Sequence, residues 1–381
     1  MNKLNWLLSF LLLLSCFSCL FDSEEAGNYG ANGLDYDVAA NKWGFMNKEG
    51  QAVISYEYDE SQDFKEGLAA VRIKDKWGYI NLQGNMAIPL QYKAAWPFIE
   101  GKARVLTFED KMGLIDLQGK WLIQPTLSEF KDFSEGVAVF RDSSTYGLID
   151  LNKQIVIPAN YLSIGDFKNG LAKIKTEQGY GLINRQGKVI LSTIYERLGV
   201  YAEGLLRAKK DGLYGYLDSK QQWSIQPQFS NCSEFHKGIA TAKKLDKYGL
   251  IDVAGNWTVE PNFDQIICIN EGLWAAYKNG KFAIITPQGE AITPFKYDQI
   301  NQFHDGFAVY GIGFYYGFLN TRGKEITSPK FGLAWDAKGG IARAIFRNGI
   351  GFVNAEGETV VAPIYGDVRD FSEGLARIQR Y

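Results

Sequence analysis

The two histidines are the first candidates for chemistry, because imidazole is both the usual acid–base group near neutral pH and a common metal ligand. His236 and His304 hold equivalent positions of an internal repeat, but they lie two repeats apart. A shared metal ion would require them to lie in adjacent repeats. We therefore interpret them as solvated loop residues and predict no metal site.

A carboxylate recurs before a glycine at one position of the same repeat. A catalytic carboxylate pair is a singular feature of one or two sites, whereas this acid is present in most copies. We therefore expect it to serve the fold. The acidic residues at this position are Glu66, Glu100, Glu135, Glu203, Glu271, Asp305 and Glu373.

No other pattern in the chain predicts catalysis. The sequence contains no serine in a nucleophile elbow, no glycine-rich phosphate loop and no Cys/His set with metal-ligand spacing. It predicts a protein without catalytic residues, metal or cofactor, and so not an enzyme. The 41 basic and 43 acidic residues are interspersed, with a net charge of −2. Because no basic stripe is present, we expect no nucleic-acid partner.

Three tryptophans are the candidates for ligand binding. Trp121, Trp223 and Trp257 occupy equivalent positions, the last two in consecutive repeats. Indole rings on one face could bind sugar rings or a peptide. The alternative is that they fill the core, since apolar residues such as Met86 and Val189 occupy the same position in other repeats.

Two cysteines fall in the repetitive part of the chain. Cys232 and Cys268 lie at non-equivalent positions of adjacent repeats. We expect two buried free thiols, with a disulfide between the repeats as the alternative.

A repeated unit must position all of these residues. The motif Lys76-Trp77-Gly78-Tyr79-Ile80-Asn81, which we call the Trp-Gly word, occurs ten times with substitutions along residues 33–381. Consecutive copies are 34 residues apart, except for 35 residues between Trp77 and Met112. Such periodicity predicts an array of similar units that bury one continuous core. The copies begin at Trp43, Trp77, Met112, Tyr146, Tyr180, Tyr214, Tyr248, Phe282, Tyr316 and Ile350.

The pattern within a unit predicts antiparallel strands. Gly67 opens a strand to residue 73 with small or branched residues at alternate positions, and a short loop leads to a second strand at 77–81. An Asn/Asp-x-x-Gly turn at residues 81–84 then leads to a third strand that we expect Pro89 to end. We expect the Phe98 side chain to pack into the core. The glycine after each anchor residue indicates close packing, for which a neighbouring ring lying across the bare backbone is the simplest explanation.

The sequence leaves two arrangements open for the ten units. Three strands per unit favour antiparallel β-meanders in an open superhelical array, which is the arrangement we expect. A fourth short strand near the aromatic-Asp position of each unit would instead suit a closed ten-bladed, propeller-like ring. In that ring, the strand at the C-terminus would replace residues 33–38 as a partner of the first unit.

Four features resemble the WG-repeat (KWG-repeat) family of bacterial proteins: the repeated word, the x-x-Gly turn, the Ile-Pro pair and the Phe-Ser-Glu-Gly sequence that ends the unit. The clearest copies of this last sequence are Phe133-Ser134-Glu135-Gly136 and Phe371-Ser372-Glu373-Gly374. The resemblance covers residues 33–381 and implies a β-rich repeat module, but it names no ligand.

The N-terminus is typical of a bacterial lipoprotein signal. A positive start and an apolar run over residues 4–14 precede Leu13-Leu14-Ser15-Cys16, which resembles a lipobox. We expect a signal peptide at 1–15 and a lipidated Cys16, with Cys19 as the alternative, on a flexible tether over residues 16–32. The alternative is an ordinary cleaved signal peptide. Diacylglycerol plus an amide-linked acyl chain such as palmitate would anchor the protein without a spanning helix.

These observations together predict a lipid-anchored protein of the bacterial cell envelope, on the periplasmic or surface leaflet of the outer membrane. We expect it to act as a non-enzymatic binding or scaffolding module for a protein or glycan partner. The alternative is a carbohydrate-active or other hydrolase with its site on one face of a ring.

Overall fold

The computed structural model describes residues 42–127, 129–270 and 272–379. The predicted tether, Cys16, Cys19 and residues 33–38 lie outside these ranges. The described chain folds into ten small antiparallel sheets, one for each repeat, which we call blades A to J in chain order. The all-β prediction is confirmed, and we find no segment within the described ranges that is helical and apolar over a length sufficient to cross a bilayer.

Each blade is built from up to four strands that follow one another in the sheet. The first strand is short in most blades, and it is formed in eight of them: β3 (Glu60–Ser61), β7 (Ala94–Ala95), β14 (Ser163–Ile164), β18 (Arg197–Ala202), β22 (Asn231–Cys232), β26 (Gln265–Asn270), β29 (Gln299–Ile300) and β35 (Asp367–Val368). The second strands are β4 (Leu68–Ile73), β8 (Lys102–Leu106), β11 (Val137–Asp142), β15 (Leu171–Thr176), β19 (Leu205–Lys210), β23 (Ile239–Lys244), β27 (Leu273–Lys278), β30 (Phe307–Ile312), β32 (Ile341–Phe346) and β36 (Ala376–Gln379).

The third strands carry the Trp-Gly word. They are β1 (Trp43–Met46), β5 (Lys76–Asn81), β9 (Met112–Asp116), β12 (Thr145–Asp150), β16 (Gly179–Asn184), β20 (Leu213–Leu217), β24 (Lys247–Asp252), β28 (Lys281–Ile285), β31 (Tyr315–Asn320) and β33 (Gly349–Asn354). The fourth strands are β2 (Ala52–Tyr58), β6 (Met86–Tyr92), β10 (Trp121–Leu127), β13 (Ile155–Tyr161), β17 (Val189–Tyr195), β21 (Trp223–Phe229), β25 (Trp257–Phe263) and β34 (Thr359–Tyr365).

The ten blades close into a propeller ring, so the expected open array is wrong. Blade A combines both ends of the described chain in the order β2-β1-β36-β35, with Phe45 opposite Arg377 in the ladder. Blade J then packs on blade A, where Tyr365 donates to the Gly50 carbonyl at 2.6 Å. Closure pairs strand edges that an array would leave open, which removes two sites of self-association.

The turn chemistry follows the sequence prediction. The Asn81 side chain accepts hydrogen bonds from the backbone N–H groups of Gln83 (3.1 Å) and Asn85 (2.9 Å). Gly84 takes a φ of 82°, in the region that favours glycine. Lys153 and Gln221, which replace this glycine in two repeats, adopt the same strained region with φ of 62° and 65°.

The expected strand end at Pro89 is wrong, because β6 continues to Tyr92. The strand lies at the edge of its sheet, where a proline without an N–H is tolerated. It also bulges there: Trp77 pairs with Tyr92, but Tyr79 pairs with Ile88. This bulge explains the glycine of the Trp-Gly word, since a Cβ on Gly78 would lie 2.6 Å from the Ile88 carbonyl oxygen.

The recurring carboxylate joins neighbouring blades, which confirms its predicted role in the fold. It lies in the turn between first and second strands and accepts a hydrogen bond from the turn glycine of the next blade. Glu66 accepts from Gly101 at 2.7 Å, Glu135 from Gly170 at 2.9 Å and Glu203 from Gly238 at 2.7 Å. Glu373 continues the series across the chain ends by accepting from Gly67 at 2.9 Å.

Candidate functional site

The three candidate tryptophans each pack on the preceding blade. Trp121 lies edge-on to Tyr92, Trp223 to Tyr195 and Trp257 to Phe229, with ring centroids 5.7–6.1 Å apart. Blades F and G place Trp223 and Trp257 on neighbouring sheets, whereas Trp121 is three blades from Trp223. The same contact therefore recurs three times, as expected of packing between repeats.

The tryptophan position is not a uniformly buried slot. The rings are half-buried, and Met86, Ile155 and Val189 at the equivalent position are 44%, 62% and 48% exposed. In blade I the position holds Glu325, which accepts a hydrogen bond from Tyr297 of the preceding blade at 3.2 Å and pairs with Lys296 at 2.7 Å. This position of the repeat serves contact between blades, with a ring or with a charge.

The remaining sequence candidates stay apart in the fold. His236 and His304 lie in blades G and I, and no group of three or more His, Cys, Asp or Glu within the described ranges is arranged to hold a metal ion. No disulfide joins Cys232 and Cys268, and the first is buried while the second is partly exposed. Burial raises the pKa of the Cys232 thiol to about 12, so this group is a poor nucleophile.

A second contact between blades uses arginine. Four arginines on second strands reach the first-strand region of the next blade, where each binds one carboxylate and one backbone carbonyl. Arg104 binds Asp132 at 2.5 Å and the Phe130 carbonyl at 3.0 Å. The other three sets are Arg207 with Glu234 and Cys232, Arg343 with Asp370 and Val368, and Arg377 with Asp63 and Ser61.

Two carboxylates at this position have no arginine, and one of them, Asp336 of blade J, accepts a hydrogen bond from the Asn301 side chain at 2.7 Å instead. The other, Asp166 of blade E, is exposed and has neither a salt bridge nor a side-chain hydrogen bond among the described residues. The residue in the arginine position of blade D is Val139, which pairs with Leu148 just as Arg104 pairs with Leu114 and Arg207 with Tyr216. The preceding blade therefore supplies no cation to Asp166.

Blade F departs from the repeat beside this unpaired acid. In blades A, B, C, E and G the chain leaves the first strand after two residues and buries a phenylalanine, such as Phe98 and Phe167, that is at most 6% exposed. In blade F the first strand runs on to Ala202, and Tyr201 at the same position is 37% exposed. Val200 beside it is 54% exposed.

This departure leaves a cleft of about 430 Å³ between blades E and F. Phe167, Leu182 and Leu206 form apolar walls, while Asp166 and Lys173 line it as well. Lys173 donates to the Leu198 carbonyl at 3.1 Å and has Val200, rather than an acid, at the position that its arginine equivalents bind.

A second cavity of about 380 Å³ lies over blades C, D and E, with Ile99, Arg104 and Phe133 in its wall. Asp166 lines this cavity too, so the two cavities share this residue. We call the combined surface the trough. It runs over the loops between first and second strands of four consecutive blades.

The tryptophan pattern in the sequence did not reveal the trough. The available signal was variation among the repeats: Val139 stands where four other copies have Arg, and Val200 stands where six other copies have Asp or Glu. Neither valine is unusual by itself. Their positions point to the trough only when adjacent blades are aligned through the register of their strand pairs.

Several known structures resemble the chain at low sequence identity. The computationally designed Ika8 protein is 11% identical, with a TM-score of 0.37 over 76% of this chain and 96% of that one. A eukaryotic initiation factor is 8% identical (TM-score 0.43; 75% and 95% covered), and BamB from Moraxella catarrhalis is 11% identical (TM-score 0.32; 88% and 98% covered). With TM-scores below 0.5, these similarities support no conclusion about function. No curated protein sequence matches the chain.

A family model matches nearly the whole described ring. It is described as a WG containing repeat, and it matches ten times, at residues 43–77, 77–107, 112–143, 146–178, 180–214, 214–248, 248–282, 284–313, 316–348 and 350–380. Most matches begin at the Trp-Gly word on a third strand and continue into the second strand of the next blade, so the ten matches are offset from the ten sheets by half a blade. The chain therefore belongs to the WG-repeat family, as a β-propeller-like repeat protein of the kind that typically serves as a binding or scaffolding module.

Proposed function

We propose that this protein is a non-enzymatic binding module, held on the bacterial cell envelope by a lipid on Cys16, and that the trough is its binding surface for a protein or glycan partner. The observation that carries the proposal is that the two cavities of the trough share Asp166 and together extend over blades C to F. A broad groove that spans several repeats suits a polymeric partner, whereas a substrate for catalysis is held at one deep point.

The composition of the trough supports binding by contact. Apolar walls at Phe167, Leu182 and Leu206 can bury a side chain or the face of a sugar ring, and exposed Tyr201 adds an aromatic edge with a polar tip. Lys168 and Asp166 contribute charge at the margin. Few polar groups among apolar walls are typical of recognition sites.

The hydrolase alternative requires unpaired carboxylates that converge in one cavity. Glu100, Asp132 and Asp166 line the same cavity of the trough. Asp132 is bound by Arg104, and Glu100 lies 4.0 Å from the Lys102 ammonium group. Only Asp166 has no cationic partner there, so this geometry favours binding over acid–base catalysis.

A photo-crosslinking experiment tests the trough as the binding surface. A photoreactive phenylalanine analogue replaces Tyr201 in the trough or, as the matched control, Tyr315, which is 56% exposed at the start of the third strand β31. We expect envelope extracts or isolated glycans to give discrete adducts from position 201 only. Adducts of equal yield from position 315, or none from 201, would contradict the proposal.

The anchor is tested separately. Cys16→Ala should abolish incorporation of a labelled fatty acid and release the protein from the membrane fraction, because the thioether lipid has no other acceptor in the Leu13-Leu14-Ser15-Cys16 motif. Labelling is measured in whole cells, with Cys19→Ala as the control. Continued labelling of Cys16→Ala that Cys19→Ala removes would transfer the assignment to Cys19.

A further inference from the structure

The ring binds four of its own arginines in the same way, and this geometry defines a receptor for a guanidinium group. In each case the carboxylate lies two residues after the first-strand residue whose carbonyl oxygen accepts from the same arginine: Asp132 follows Phe130, and Glu234 follows Cys232. The N–H groups of arginine fan out in one plane, so a single side chain can satisfy both oxygens.

Blade E carries the same receptor without an arginine in it. Ile164 and Asp166 have the same spacing, and Ile164 pairs with Ile174 just as Cys232 pairs with Ala242. No side chain within the described ranges donates a hydrogen bond to the Ile164 carbonyl or to the Asp166 carboxylate. Val139, in the position of the missing arginine, is 4% exposed and has no polar atom to offer.

The vacant receptor adjoins the apolar cleft. Asp166 lines the cleft in which Phe167, Leu182 and Leu206 are buried to within 6% exposure, and Val200 and Tyr201 form its exposed edge. A ligand that fits both features carries a guanidinium group and, within a short reach of it, an apolar group. Polypeptides present this combination through an arginine and an aliphatic or aromatic side chain.

We propose that the trough binds an extended polypeptide segment of a partner protein, with an arginine of the partner at Asp166 and the Ile164 carbonyl and an apolar side chain in the cleft between blades E and F. The partner arginine then completes a contact that the ring makes with its own residues in four other places. This proposal rests on the function proposed above and selects protein rather than glycan as the partner.

The charges around Asp166 define the rest of the segment. Arg104 and Asp132 neutralise each other at 2.5 Å, while Lys131 and Lys168 lie at the margins of the two cavities. Lys173 lines the cleft, and no salt bridge joins it to a carboxylate in the described part of the chain. Acidic residues beside the arginine therefore suit the segment better than further basic ones.

The first test uses peptides with blocked termini and a fluorescent label as the probe. Each contains one arginine, one leucine and one glutamate in a glycine–serine background, with arginine and leucine at three different spacings. The matched peptides carry citrulline, which keeps the shape of arginine and removes its charge. We expect saturable binding in fluorescence anisotropy for at least one spacing, and binding about tenfold weaker for its citrulline counterpart, the loss expected for one charge-assisted pair.

Two substitutions locate the contact. Asp166→Asn changes an exposed side chain and should weaken binding of the arginine peptide to the level of the citrulline peptide. Asp211→Asn, in a remote exposed turn, should leave binding of the arginine peptide unchanged. Val139→Arg supplies the ring's own arginine to Asp166 and should abolish the preference for arginine. Val309→Arg, at the equivalent position of blade I, is the matched control, and circular dichroism melts show whether both variants fold.

The outcomes separate this inference from the proposed function. Equal binding of arginine and citrulline peptides, an arginine preference that survives in Asp166→Asn, or no binding at any spacing would overturn the inference. If the crosslinks at position 201 nevertheless persist with a glycan or with a partner that lacks arginine, the trough remains the binding surface. If neither the arginine preference nor the crosslinks at position 201 are observed, both proposals are overturned.

Discussion

In most of the Trp-Gly words, the glycine lies under a carbonyl oxygen of the neighbouring fourth strand. We expected a ring to lie across this glycine, and in some blades one does: Trp121 comes within 2.4 Å of a Cβ placed on Gly113. The contact shared by most blades is instead with backbone, such as the Ile225 carbonyl at Gly215. Backbone cannot rotate away as a side chain can, so the restriction to glycine follows from the bulge.

Gly215→Ala should therefore destabilise the protein. Its Cβ would lie 2.5 Å from the Ile225 carbonyl oxygen and 2.7 Å from the Pro227 nitrogen, so strand β21 must shift. We expect a loss of about 1–3 kcal/mol in the free energy of unfolding, measured by chemical denaturation. Gly332→Ala is the control, since the nearest atom there is a flexible side chain at 3.6 Å. Equal stability of the two variants would contradict the explanation.

At the scale of strands and blades, cohesion comes from contacts that repeat with the same register. The turn carboxylates, the arginine contacts and the aromatic pairs each connect a blade to the next one. These contacts add to the apolar clusters that span neighbouring blades, such as the cluster of Tyr79, Ile88 and Phe98 with Val105. Stability of the ring is therefore spread over many similar interfaces.

The arginine contact can be measured by a double-mutant cycle between blades F and G. Arg207→Met should cost about 1–3 kcal/mol because it leaves Glu234 and the Cys232 carbonyl without their donor. In the double variant with Glu234→Gln the loss should be smaller than the sum of the single losses. Arg347→Met, in an exposed turn, serves as the control. Additive losses would show that the pair contributes nothing.

Buried hydroxyl and thiol groups between strands predict a loss of stability at alkaline pH. Burial raises the pKa values of Tyr79 and Tyr216 well above their usual range of about 10, and that of Cys232 to about 12 from an ordinary value of 9.0. The unfolded chain then binds fewer protons than the folded chain, so the free energy of unfolding falls as pH rises.

This loss should begin near pH 9 and continue through pH 12. Denaturant titrations at successive pH values measure it, and absorbance at 295 nm should show a class of tyrosines that ionises only on unfolding. Tyr216→Phe is the control, because it removes one of these groups and should flatten the slope. Stability that stays constant between pH 9 and pH 12 would contradict the assignment.

At the scale of the whole molecule, the ring depends on the last strand. β36 lies between β35 and β1 and supplies Ala376 and Ile378 to the core of blade A, both 0% exposed. It also places Arg377 against Asp63 of blade B. Blade A is therefore the only blade whose sheet depends on both ends of the described chain.

Deletion of residues 375–381 should open the ring at blade A. We expect a fall of more than about 10 °C in the melting temperature and exposure of Phe45 and Met46, detected by binding of a hydrophobic dye. A circular permutant provides the control: joining the present ends and cutting at the exposed Asp211–Gly212 turn keeps β36 in place. A truncated chain as stable as the permutant would show that closure is dispensable.

The sequence alone determined the repeat length, the β class, the Asx turns and the structural role of the turn carboxylate, because these depend on residues close together in the chain. Ring closure was decided only by the tertiary structure, since it depends on how small rotations between blades add up and on a pairing of Phe45 with Arg377. The trough also required the fold. Its key residues belong to three different repeats: Val139, Asp166 and Val200. Only the packing of neighbouring blades places the unpaired acid Asp166 beside a position without arginine and beside an open cleft.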